Sequence, residues 1–189
     1  MLKTKTDPEG IDVIIQKLQT HLHGRLITKW GLTGTPEKYV SYGRIHRNRT
    51  ADGYVAEWYE GGKEYREVYW NDSLYATSFF GTEGKELHEI GEEIRIHLIF
   101  FVNLAKLKPA IAHRADEEVR KDVQAIIGMN LFGCAYESTE IWVDNCLKEY
   151  KVSASKMADA KFDMHPTHCF RINLIARYKK NICNNLKFN

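Results

Sequence analysis

The run IRIHLIFFVNLAKL, residues 94–107, is the most apolar stretch of the chain, and its reading decides the fold. A helix crossing a membrane needs about 20 consecutive apolar residues. Here the uninterrupted stretch is only 98–102, with Arg95, His97 and Asn103 around it, so a membrane span is excluded. Wound as a helix, the run gathers Arg95, Asn103 and Lys106 but throws His97 to the opposite side. Extended, it places Ile94, Ile96, Leu98, Phe100, Val102 and Leu104 on one face without exception. The other face reads Arg95, His97, Ile99, Phe101, Asn103, Ala105, with polar ends around an apolar middle. The run is therefore a strand, and about eleven residues at roughly 3.3 Å each span about 36 Å, twice the usual length. Ile99 and Phe101 also need cover, from a helix of the same chain or from a neighbouring subunit.

Outward from this strand the elements alternate in kind. Asp7 as N-cap, Pro8 at the first helical position and Glu9 near the helix dipole predict an N-terminal helix. Its apolar stripe is Ile11, Ile14, Ile15, Leu18, Leu22 and Leu26, and it ends before Trp30-Gly31. Residues 39–81 are strand material: YVSYGRIHR and YVAEWY form a hairpin, Gly61-Gly62 turns into KEYREVYW, and SLYATSFFG adds a short strand. A polar loop holding Gly81, Gly84 and Gly91 leads into the long strand. After Lys108-Pro109, ADEEVRKDVQAIIG is an amphipathic helix with Ala115, Val119, Val123, Ile126 and Ile127 inward and Gly128 closing it. A second helix is expected over 138–150, burying Trp142, Val143, Cys146 and Leu147. Residues 151–168 read as a long loop, CFRINLIARY as a final strand with Phe170, Ile172, Leu174 and Ala176 inward, and 179–189 as a flexible tail. The expected fold is a single α+β domain over 1–189, an antiparallel sheet of hairpins with a long central strand and helices packed on one face.

Composition sets limits on function. At 189 residues there is room for one substantial core, and 43% hydrophobic with 28% charged residues is ordinary for a globular protein. A net charge of +2 does not by itself point to nucleic acid or a membrane, so local clusters must make that case. No apolar segment follows the lysines of MLKTKTDPEG, and no secretory signal is expected. Cys134, Cys146, Cys169 and Cys183 form no CxxC pair and read as free thiols.

Four groups of residues carry candidate chemistry. His165, His168 and Cys169 offer two imidazoles and a thiolate to zinc, with Cys146 or Asp163 as a further ligand. RIHRNR, residues 44–49, presents Arg44, Arg47 and Arg49 at a hairpin tip for DNA or a neighbouring subunit. Tyr54, Trp58, Tyr59, Tyr65, Tyr69 and Trp70 suggest a sugar platform or simply sheet packing. Glu86, His88 and Glu89 form a charged loop. No GxSxG, P-loop, GxGxxG or HExxH occurs, and no enzyme is expected.

The order of these elements adds a resemblance. A leading amphipathic helix, aromatic hairpins, the strand IRIHLIFFVN, the helix RADEEVRKDVQAII and the closing strand CFRINL resemble the tail-completion, tail-terminator and head–tail connector proteins of tailed bacteriophages. The resemblance covers most of the chain as pattern; 151–168 and the Lys/Asn-rich tail depart from it. It implies a virion protein, assembled in the host cytoplasm, without cofactor or membrane attachment. It would form a homo-oligomeric ring, a hexamer or a multiple, at the head–tail junction or tail end, with Ile99 and Phe101 at the subunit interface. Other neck or tail proteins and passing genomic DNA would be its partners. The alternatives are a nucleic-acid-binding module built on residues 44–49, or a small zinc-dependent protein built on His165, His168 and Cys169.

Overall fold

The computed structural model describes residues 1–59, 65–68, 70–88, 91–111, 113–128, 131–159, 162 and 164–178. Its centre is the predicted strand. Strand β6 (Gly91–Asn103) pairs antiparallel with β5 (Ala76–His88) on one side and β8 (Thr167–Tyr178) on the other. Beyond β5 lie β2 (Tyr39–Thr50), β3 (Gly53–Tyr59) and β4 (Tyr65–Glu67), and beyond β8 lies β7 (Cys134–Ile141). The sheet order is β4-β3-β2-β5-β6-β8-β7, with the short β1 (Leu2–Lys3) also on β2. The β1–β2 and β2–β5 pairings are parallel and the rest antiparallel, so the α+β class holds with a mixed sheet.

Both faces of β6 are covered, which corrects the expectation of helices on one face. On the first face Ile94, Ile96, Leu98, Phe100 and Val102 pack with α1 (Ile11–Lys29) and α3 (Asp116–Ile127). On the second face Ile99 and Phe101 pack with Val143, Cys146, Leu147, Tyr150, Ala154 and Phe162, from α4 (Val143–Cys146), α5 (Lys151–Asp159) and their surroundings. Ile99 is 0% and Phe101 1% exposed within the single chain. They are core residues, not the subunit interface proposed for them, because the chain's own helical segment supplies the cover.

Five further boundaries move, each for a local reason. The first helix starts at Ile11 rather than at an Asp7 cap, because Gly10 sits at φ 55, outside the helical path. Leu104–Leu107 is one helical turn, α2, capped by the Asn103 side chain, which accepts from the Lys106 N–H at 3.0 Å. Strand β5 runs on through the expected polar loop. Its glycines serve the strand: a Cβ on Gly81 would lie 1.9 Å from His97 Nε2, and Gly84, at φ 65, falls where the register shifts between Glu83 and Glu86. Residues 134–141 form β7 instead of the start of a helix; pairing along β8 overrides the helical spacing of Trp142, Val143 and Cys146. The expected loop at 151–168 begins with α5, whose Ser153 Oγ accepts from the Ala56 N–H at 3.1 Å and joins α5 to β3.

Other expectations stand as read. The α1 stripe is buried, with Ile14 packed against it, and Trp30 and Gly31 follow its end. Phe170, Ile172, Leu174 and Ala176 all enter the first core. Cys134, Cys146 and Cys169 are buried. No described helix is long and apolar enough to cross a membrane. The Gly61-Gly62 turn, Tyr69, Glu89, Asp163, Cys183 and the tail 179–189 lie outside the described residues.

Candidate functional site

The polar end of the second face is where chemistry concentrates. Strand pairing sets Gly81 opposite His97, His97 opposite Asn173, and Glu140 opposite Arg171, so one face collects side chains from four strands. The segment after α4 closes over them with Glu149 and Tyr150. Arg171, 2% exposed, holds the group together. Its terminal NH1 donates to both Glu149 oxygens at 2.8 and 2.7 Å, and its Nε donates to Asn173 Oδ1 at 2.7 Å. Glu83 lies 3.6 Å from the other terminal nitrogen. Asn173 Nδ2 donates in turn to Ser138 Oγ at 2.9 Å and to Glu140 at 2.7 Å.

His97 sits within this group, 1% exposed, with Nε2 3.2 Å from the Tyr150 hydroxyl. Burial, reinforced by Arg171 and Lys148, holds its pKa well below the ordinary imidazole range, so the ring is neutral at pH 7. Its Nδ1 is buried and has no hydrogen-bond partner among the described residues. The space for the ring exists because residue 81 has no side chain.

The residues singled out from the sequence do not converge. His168 and Cys169 are consecutive on β8 and point to opposite faces: His168 stacks on Phe170 (5.6 Å between centroids), while Cys169 enters the second core. His165 is exposed. His168 also lies between two guanidiniums, Arg114 NH2 at 3.1 Å from Nδ1 and Arg120 NH1 at 3.0 Å from Nε2, which repel a cation. Among the described residues, His165, His168 and Cys169 do not gather into one ligand cluster. Of the arginines, Arg44 is paired with Asp12 (2.7 Å) and Arg47 lies 4.4 Å over the Tyr54 ring, leaving Arg49 exposed at the hairpin tip. The aromatics also disperse. Trp58 is buried, Tyr59 stacks on Tyr65 at 4.8 Å, and Trp70 packs on Phe162 at 5.0 Å. Glu86 and His88 belong to β5 rather than to a loop.

His168 supports a pH prediction. Burial first, then Arg120 and Arg114, push its pKa down to about 4 from 6.5. The unfolded chain then takes up a proton before the folded chain does, so the contribution is complete above about pH 6.5 and lost as pH falls toward 4. At pH 5 this costs about 2 kcal/mol relative to pH 7.5. His23, His46 and His97 are shifted in the same direction. Urea unfolding at pH 7.5 and 5 should show the loss, and His168→Gln should flatten it; an equal slope in both proteins would refute the assignment.

A different feature marks the edge of the sheet. Among the described residues, the two non-glycine positions with left-handed backbone are Phe132 (φ 56) and Trp142 (φ 76). They bracket edge strand β7, and both side chains are exposed, at 42% and 53%. Between them Tyr136 is also exposed, as is Tyr65 on β4 at the opposite edge. No protein-family model matches the chain and no curated protein is significantly similar to it.

Proposed function

We propose that this chain is a structural subunit that joins copies of itself edge to edge, in the manner of the ring-forming neck and tail proteins its element order resembles. One observation carries the reading: Phe132 and Trp142 hold partly exposed aromatic side chains, on strained backbone, at both ends of β7. Left-handed backbone at a bulky residue costs about 1–3 kcal/mol and persists where function uses it. Exposed aromatics are the residue type that anchors protein interfaces.

The opposite edge supplies a partner surface in Tyr65, stacked on Tyr59. Contacts between two different edges are head-to-tail, and such contacts close into rings when the rotation between copies allows. The β-bulge between Tyr136 and Ser138 disfavours simple backbone pairing along β7, so side chains carry the contact.

Light scattering and mass photometry over a wide concentration range test this. The chain should form a defined oligomer, and Trp142→Ser and Tyr65→Ser should each abolish it. Mixing the two variants should yield heterodimers, because each retains one intact edge. A monomer at all concentrations would sink the proposal, as would variants that assemble normally.

A further inference from the structure

We propose that Glu83, His97 and Glu149 bind one divalent transition-metal ion. Their ligand atoms lie within 4.8 Å of one another, and they come from three separate elements: β5, β6 and the turn after α4. An ion about 2.0–2.2 Å from nitrogen and carboxylate oxygen needs its ligands roughly 3–3.5 Å apart. Closing that gap falls to Glu83, whose side chain is 52% exposed and free to swing inward. The same exposure gives the ion a route in from solvent.

The imidazole is the observation that sets this cluster apart from an ordinary ion-pair network. His97 is buried, and its Nδ1 has no partner among the described residues. A buried nitrogen left unpaired costs about 1–3 kcal/mol, and the sheet bears that cost with a glycine opposite to make room. The Tyr150 hydroxyl on Nε2 fixes the ring, the role that outer partners of ligating histidines play.

Arg171 shares the two carboxylates but does not fill the site. It is 3.6 Å from Glu83, and its Glu149 contacts use one terminal nitrogen. One Glu149 oxygen can turn to the ion while the other keeps the guanidinium, which remains anchored on Asn173. Glu140, accepting from Asn173, adds a further negative charge nearby. One imidazole with two carboxylates selects Mn²⁺, Fe²⁺, Co²⁺ or Zn²⁺ over Mg²⁺ and Ca²⁺. Bound there, the ion would tie the segment after α4 to the β5–β6 pair.

The full chain, stripped with a chelator and dialysed, can be titrated with Co²⁺ by absorption and with Mn²⁺ and Mg²⁺ by calorimetry. One Co²⁺ and one Mn²⁺ per chain should bind, with Mg²⁺ at least tenfold weaker. The cobalt spectrum should lack a thiolate charge-transfer band, which excludes the cysteines as ligands. His97→Gln should abolish binding. Because a buried substitution can impair folding, Glu83→Gln at the exposed ligand is the second variant, and it should weaken Co²⁺ at least tenfold. No saturable binding by the wild-type chain, a thiolate band, or unchanged affinity in Glu83→Gln would each overturn the proposal.

Discussion

Replacing Arg171 with leucine should destabilise the fold by about 3–5 kcal/mol, the cost of removing one partner from a buried ion pair. The guanidinium is 2% exposed and faces Glu149, whose side chain is 14% exposed, together with Asn173 and Glu83. Leucine fills much of the volume but leaves the Glu149 carboxylate without its cation and Asn173 without a donor. For a chain of this length such a loss lowers the melting temperature by about 10 °C. A double variant separates the ionic cause from packing. Arg171→Leu combined with Glu149→Leu removes both charges and should recover at least half of the loss, since apolar replacement of a whole buried pair is often neutral. A single variant within about 1 kcal/mol of wild type, or a double variant worse than the single, would contradict the role given to the pair.

Phe100→Ala should cost about as much, roughly 3–5 kcal/mol, by another route. Phe100 is fully buried at the middle of β6 and lies parallel to Phe170 of β8, 4.9 Å between centroids and 8° between planes. Trp30, at the end of α1, meets it edge-on at 6.3 Å, and Tyr39 stacks at 6.4 Å. Truncation opens a void lined by three rings that belong to separate elements and cannot collapse together. Urea unfolding should show a lower midpoint with the slope unchanged. Tyr65→Ser, at an exposed edge position, serves as the control and should leave the monomer's stability within about 0.5 kcal/mol. A Phe100→Ala protein as stable as that control would mean the first core is not organised around β6.

How far the sequence could be read depended on how many residues each signal spans. Strand β6 was legible because two faces, each consistent over several residues, agree with period two and with nothing else. The α1 stripe and the inward face of β8 were legible for the same reason. Residues 138–150 misled because their helical spacing joins the end of β7 to a single turn of α4, two short elements that mimic one long helix. The glycines at 81 and 84 suggested a loop because close approach by His97 is a tertiary fact with no local signature. Three of the five side chains of the ion cluster were visible: Arg171 and Asn173 alternate along an otherwise apolar strand, and His97 marks the polar end of β6. Glu83 and Glu149 came from segments assigned to other structures, so the five side chains could not be placed together beforehand. Phe132 and Trp142 carry no sequence sign of their backbone conformation at all.

The sheet order also has a consequence for how the chain is made. Strand β8 is the last described strand to be synthesised, yet it lies between β6 and β7. Until it emerges, β6 presents one whole unpaired side of an apolar strand, and β7 has no partner in the sheet. Pairing β6 with β8 closes a loop of more than sixty residues, a slow step in which the entropic cost comes before the contacts that repay it. A nascent chain therefore has to be kept from edge-to-edge aggregation until β8 arrives. Folding is committed once β8 has been made, enters the gap and completes both cores.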